Sequence, residues 1–260
     1  MFEGLYNSAS GMVTQAKIQE VIANNISKAL VPGYKKLVAV NKTFNDELSA
    51  NANDSKTERG KVGGVEIDGV YTIFDQGQLK NTDNPLDLAI DGEGFFVVKA
   101  NGSEYYTRNG KFSINSEGKL VTPEGYSVMG EQGEIAIGKN GKLNSAIFSK
   151  IIINDDGGIV VQGNSLKDSN KIGTLKIVKF EDNSGLKPIG SSLFEAGDKN
   201  KPQKADKFSV AQGYLEQSNV NILDEMVSMI INMRVYETNQ KILKNMSDAF
   251  ARGIGEIGRV

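Results

Sequence analysis

Apolar residues recur at both ends of the chain with the spacing that an α-helix gathers onto one face. Starting at Phe2, the positions Leu5, Ala9, Met12, Ala16, Gln19, Ala23, Ile26 and Leu30 advance in alternating steps of three and four, and only Gln19 is polar. At the other end Ile222, Met226, Met229, Met233, Tyr236, Gln240, Leu243, Ser247, Phe250 and Ile254 follow the same rule, with Gln240 and Ser247 as polar exceptions. The boundaries are marked too. Pro32 pushes the residue before it towards an extended conformation and Gly33 suits a helix end, so the first helix stops before them. Asn221 is placed to cap the second helix, and Asp224 and Glu225 put negative charge in its first turn, where the helix dipole favours it. Residues 1–40 and 213–260 are the expected terminal assembly segments, each built around one of these helices.

The first helix is marginal by itself, because Gly4 and Gly11 each cost about 1 kcal/mol relative to alanine. Its stability has to come from a partner. Within the chain that partner is the second helix, in an antiparallel or staggered pair; between chains it is the same helices of neighbouring copies. Ile18, Val21 and Ile22 at one end, and Leu223, Val227 and Ile230 at the other, widen each stripe beyond a simple seam. Such surplus apolar surface points to burial on more than one side, and so to assembly. Four of the seven methionines, Met226, Met229, Met233 and Met246, lie in the second helix, where a flexible side chain suits non-identical neighbours. The plainer alternative is the core of an ordinary helical bundle.

Residues 41–64 carry few large apolar groups and read as a polar linker or loop. Over 65–212 the pattern changes to short apolar runs separated by turn dipeptides: Asn101-Gly102, Asn109-Gly110, Glu117-Gly118, Glu124-Gly125, Gln132-Gly133, Asn140-Gly141 and Asp156-Gly157. This is the signature of an antiparallel β domain. No sequence unit repeats, which argues against a propeller or solenoid. The expected fold class is α+β, with long terminal helices forming a coiled-coil region around a central antiparallel β domain.

Composition narrows the chemistry. Among 260 residues there is no histidine and no cysteine, which removes an imidazole base, a thiolate nucleophile, the usual zinc site and any disulfide. A net charge of −2 provides no field to gather nucleic acid. The longest apolar runs, such as Phe95 to Val98 and Ile151 to Ile153, fall far short of the about 20 residues a transmembrane helix needs. Met1-Phe2-Glu3-Gly4 lacks a basic segment followed by an apolar core, so no cleaved secretory signal is expected. Gly92-Glu93-Gly94 precedes the strand-like Phe95-Phe96-Val97-Val98 instead of a helix, unlike a dinucleotide loop. Asp83, Asp87, Asp91 and Glu93 lack EF-hand spacing and read as solvated acids at strand ends. Phe95-Phe96 and Tyr105-Tyr106 read as β-domain packing in preference to a stacking platform. Neither an enzyme nor a cofactor, metal or small-molecule substrate is expected. The competing readings are a self-contained β-domain binding module and a carboxylate-dependent hydrolase.

Three motifs carry a resemblance. Val21-Ile22-Ala23-Asn24-Asn25-Ile26-Ser27, followed by Val31-Pro32-Gly33-Tyr34-Lys35, closely resembles the amino-terminal signature of the bacterial flagellar rod and hook proteins. Gly213-Tyr214-Leu215-Glu216-Gln217-Ser218-Asn219-Val220-Asn221, with Glu225-Met226-Val227 and Arg234-Val235-Tyr236-Glu237, resembles their carboxyl-terminal signature. Asp87-Leu88-Ala89-Ile90-Asp91-Gly92-Glu93-Gly94-Phe95-Phe96 and Tyr106-Thr107-Arg108-Asn109-Gly110 resemble their central domain. Ile26 replaces the usual leucine, Ser27-Lys28 the usual alanine and asparagine, Val31-Pro32 stands at the usual threonine, and Tyr34 replaces phenylalanine.

The resemblance implies a basal-body rod subunit whose terminal helices pack with those of many copies into an inner tube that transmits torque from motor to hook. It implies other rod and hook subunits and the flagellar export apparatus as partners. It also implies the periplasmic part of the rod as location, reached by type III export without a cleaved signal. Chain length favours a rod protein over a hook protein. The short polar loop before Val65 and the ending Ser192-Leu193-Phe194 lean towards the proximal rod over the distal rod. The expected assembly residues are Phe2, Leu5, Met12, Ala16, Ile22, Ala23, Asn24, Asn25 and Ile26, the corner Pro32, Gly33 and Tyr34, and Ser218, Asn219, Val220, Leu223, Met226, Val227, Ile230, Met233 and Tyr236. Asn24 and Asn25 are unusual inside an amphipathic helix, and a hydrogen bond across subunits would account for them.

Overall fold

The computed structural model describes residues 2–43, 64–137, 151–162, 169–190, 192–197 and 200–257. It has an amino-terminal helix, a carboxyl-terminal helix and antiparallel strands between them, the α+β class expected. The chain divides into two compact units. One comprises Met1–Ser27, Leu37–Ile73 and Val220–Val260; the other comprises Lys28–Lys36 and Phe74–Asn219.

In the first unit, helix α1 spans Phe2–Lys28 and ends ahead of Pro32, as the proline requires. Helix α2 spans Ile222–Ile257, and the Leu223 amide donates to Asn221 Oδ1 at 3.1 Å, so Asn221 does cap it. Strand β1 (Leu37–Thr43) pairs antiparallel with β2 (Val65–Thr72), from Leu37 opposite Thr72 to Thr43 opposite Val65, with a register shift between Val40 and Asn41. The sequence reading therefore needs two adjustments. Asn41–Thr43, the start of the expected linker, continue a strand, and Val65–Thr72 belongs with the helices and not with the β domain. Backbone pairing along all of β2 overrides the polar composition that suggested a loop. Residues 44–63, the rest of the expected linker, lie outside the described residues.

The second unit is organised around one hairpin. Strand β3 (Leu79–Asn81) pairs with Tyr214–Glu216, and β4 (Leu88–Gly92) pairs with Phe208–Gln212. Strand β5 (Phe95–Ala100) pairs with β6 (Ser103–Thr107) across Asn101-Gly102, both residues with positive φ, the backbone a two-residue hairpin turn demands. From that hairpin the largest sheet extends through Leu193–Ala196 and Leu186–Gly190 on the β6 side. On the β5 side it extends through Ser127–Gly130, Leu120–Val121 and Ser113–Ile114. Ile151–Ile153, Gly158–Gln162 and Ser169–Thr174 form a separate three-stranded sheet.

Phe95-Phe96-Val97-Val98 is a continuous apolar run because β5 is buried on both faces. Phe96 and Val98 enter a core with Leu88, Ile90, Phe112, Leu120, Val128 and Ile159, while Phe95 and Val97 enter a second one with Tyr106, Phe180 and Phe194. In the second core the Phe95 ring lies 5.6 Å from Phe74 and 5.9 Å from Phe180, both edge-to-face. Four more expected turns join strands: Glu117-Gly118, Glu124-Gly125, Gln132-Gly133 and Asp156-Gly157. Asn109-Gly110 does something else. Gly110 lies against the Leu88 backbone, where a Cβ would overlap the Leu88 carbonyl, and its own carbonyl accepts from the Leu88 amide at 3.0 Å. Asn140-Gly141 lies outside the described residues.

Candidate assembly interface

Helices α1 and α2 face each other through polar and small residues. Asn232 Nδ2 donates to the Gln15 carbonyl at 2.9 Å and to Gln19 Oε1 at 2.7 Å. Asn25 Nδ2 donates to Glu225 Oε2 at 3.1 Å. A Cβ at Gly4 would lie 3.0 Å from the Met246 methyl, and one at Gly11 would lie 3.2 Å from Asn239 Nδ2. Partners on α2 descend in number as those on α1 rise, so the pair is antiparallel. The glycines that weaken α1 as a lone helix let α2 approach it.

The contact face overlaps only part of the one suggested by the apolar repeat: Gln19 of that series accepts from Asn232, and Leu5, Ala9, Met12, Met229, Leu243 and Phe250 are half-buried. On α1 the inward side holds Ser8, Gly11, Gln15, Ile22 and Asn25, each one residue before a member of the series Ala9, Met12, Ala16, Ala23 and Ile26. On α2 Glu225, Asn232, Asn239 and Met246 point inward where Met226, Met233, Gln240 and Ser247 were expected. One residue turns a helix position by about 100°, enough to exchange an apolar stripe for a polar one. Leu5, Met12 and Ile26 are half-buried, Ala16, Ala23 and Asn24 are exposed, and Phe2 opens the helix. On α2 the expected residues Leu223, Met226, Val227, Ile230, Met233 and Tyr236 are all exposed, Leu223 at 72 % and Val227 and Ile230 at more than half.

The two asparagines part company. Asn24 is exposed, whereas Asn25 is 1 % exposed. Besides Glu225, the Asn25 side chain holds the backbone of Leu37: Nδ2 donates to the Leu37 carbonyl at 2.8 Å and Oδ1 accepts from its amide at 3.0 Å. Those bonds lie within the chain and tie Asn25 to its own fold.

In the second unit the corner residues surround a buried ion cluster that sequence reasoning missed. Gly33 (φ +67°) and Tyr34 are buried, and Pro32, Ser218 and Asn219 are half-buried; Val220, just beyond, is buried. Lys35 Nζ meets Glu216 Oε1 at 2.6 Å and donates to the Asp75 carbonyl at 2.7 Å. Arg108 reaches Glu216 Oε2 at 3.4 Å, donates to the Gly92 carbonyl at 2.8 Å, and stacks 5.3 Å from the Phe95 ring centre. Burial pushes both the Lys35 ammonium and the Arg108 guanidinium below their ordinary values, against the opposing pull of Glu216. Each member stands in a different one of the three motifs quoted above. A single sequence offers no signal joining positions so far apart.

Residues of the remaining motifs have partners in the fold. Phe95, Phe96 and Tyr106 are core residues. Asp87 accepts from Asn84 Nδ2 at 3.0 Å, and Asp91 accepts from Gln76 Nε2 at 3.2 Å. Among the described residues no three acids gather as a metal site, and no helix is long and apolar enough to cross a membrane.

Comparison with known proteins gives matches along the chain. Residues 5–35 match the family model described as flagella basal body rod protein, 89–161 the flagellar hook protein FlgE/F/G D1 domain, and 211–255 the flagellar basal body rod FlgEFG protein C-terminal region. The flagellar basal-body rod protein FlgG of Borreliella burgdorferi is 33% identical, over 94% of either chain. FlgF of Caulobacter vibrioides is 32% identical over 100% of each, and FlgG of Bacillus subtilis 31% identical over 94% of each. The middle match contains β5 and β6, and the outer two contain most of α1 and α2. Near full-length likeness at this identity shows kinship: the chain belongs to the flagellar basal-body rod proteins, structural subunits of the basal body and not enzymes.

Proposed function

We propose that this rod subunit polymerises through the outer faces of its terminal helices, which pack as coiled coils with those of neighbouring copies into the shaft that carries torque from motor to hook. One observation carries the proposal. The helix pair meets through Gln15, Gln19, Asn25, Glu225 and Asn232 and leaves Leu223, Met226, Val227, Ile230 and Met233 facing outward. A contiguous apolar face of this kind on a lone molecule calls for a partner. Each copy then offers different surfaces to different neighbours, the arrangement that produces helical assemblies. Ala16, Ala23 and Asn24 on α1 belong to the same surface, as exposed small and polar residues at one side of the helix. Other rod and hook subunits are the further partners, the flagellar type III apparatus exports the chain without signal cleavage, and the periplasmic part of the rod is its place. The short loop before Val65 and the ending Ser192-Leu193-Phe194 favour a proximal position in it.

The test is Val227→Asp combined with Ile230→Asp. Both sites are exposed, so each change should alter the stability of the isolated chain by no more than about 0.5 kcal/mol. Cells carrying the double variant should export the chain normally yet lack complete rods and not swim. Normal rods in those cells would end the proposal.

A further inference from the structure

The chain enters and leaves the β unit through three segments: Lys28–Lys36, the stretch beginning at Phe74, and the stretch ending at Asn219. Inside that unit all three are tied to one another. The Gly33 amide donates to the Glu216 carbonyl at 2.8 Å, and the Gln217 amide to the Gln78 carbonyl at 2.9 Å. Lys36 donates its amide to Asn219 Oδ1 at 2.7 Å, and Asn219 Nδ2 donates to the Asp75 carbonyl at 3.2 Å. At the centre stands Glu216, whose Oε1 accepts from Lys35 Nζ and, at 2.9 Å, from the Gly77 amide. A Cβ on Gly77 would overlap the Gln217 carbonyl, so the second and third segments are also in direct backbone contact. Arg108, reaching in from the end of β6, supplies a second cation to Glu216 and anchors it to the carbonyls of Ile90 and Gly92.

A buried carboxylate between two buried cations is an expensive way to gain stability, because apolar residues of similar volume often do as well or better. What such a cluster does supply is direction: each charged group binds only where its partners stand. Here the partners come from separate stretches of chain. We propose that the Lys35–Glu216–Arg108 cluster is a clamp that makes the three entry and exit segments of the β unit open and close as one, so that pull arriving on any of them is shared by all. Its mechanical use rests on the rod reading; the coupling itself does not.

Native-state hydrogen exchange on the full chain under rising urea tests the coupling without any substitution. The amides of Gly33, Lys36, Gly77 and Gln217 are expected to share one opening isotherm, below that of Phe96 and Val98 in the core. Separate isotherms for the three segments would overturn the clamp. A second arm replaces the cluster by apolar residues, with Lys35→Met, Arg108→Met and Glu216→Leu together. The informative amides are Gly33, Lys36 and Gln217, whose own acceptors are untouched by the substitutions. All three should lose their common isotherm and open separately, since no charged group then ties the segments together, while Phe96 and Val98 hold their protection. Acceleration at Gly77 alone, which loses its acceptor directly, would reduce the cluster to local packing. Both arms use the dilute full chain, so a failed clamp and a failed assembly reading give different results.

Discussion

The side chain of Asn25 stands in for a neighbouring strand at the start of β1, meeting both the amide and the carbonyl of Leu37 while also binding Glu225 on α2. Leucine at that position would leave the Leu37 backbone groups without these partners, at about 1–3 kcal/mol for a group cut off from water. Asn25→Leu should therefore lower the melting temperature of the dilute chain and speed exchange of the Leu37 amide. Asn24→Leu, on the exposed side, should leave both within error. Equal losses in the two variants would mean that the asparagines share one role after all. Amphipathic spacing marked both as anomalies in a helix, and that much was readable from the residues. Their division of labour was not, because it depends on where β1 begins, and β1 is set by pairing with a segment beyond residues 44–63. Lys35, Arg108 and Glu216 were hidden for the same reason: each looks like an ordinary charged residue until long-range folding brings them within reach.

At the level of elements, local signals served well wherever the backbone alone decided the outcome. Proline stopped α1, Asn221 capped α2, and glycine dipeptides marked hairpins such as Asn101-Gly102. The apolar repeat found both helices but only part of the side on which they meet, since periodicity identifies stripes and says nothing about which partner covers each. Gly11 makes the distinction measurable. Propensity argues that replacing it would strengthen α1 by nearly 1 kcal/mol. Contact argues the reverse, because Asn239 already occupies the space a larger side chain would need. Gly11→Leu should consequently reduce amide protection in both helices, on α2 most clearly around Asn239. Greater protection throughout α1 would show that the two helices do not meet as described.

For the whole molecule, the contrast between the two compact units sets an order of stabilities. The β unit has two apolar cores in which Phe96, Val97, Val98 and Val128 are completely buried. The unit holding the terminal helices closes on Asn232, Gln19, Asn25 and Glu225, and Leu223, Met226, Val227, Ile230 and Met233 on α2 are turned to solvent. Hydrophobic burial is the main favourable contribution to folding, so the first should resist opening far better than the second while the chain is alone. Amide exchange on the purified, dilute protein should find residues 5–26 and 223–250 less protected than the β5–β6 hairpin. In isolated rods the same helical amides should become protected, because neighbouring copies would cover Leu223, Val227 and Ile230. Slow exchange of both helices in a verified monomer would show that the polar pairing suffices by itself. The exposed stripe would then need some explanation other than assembly.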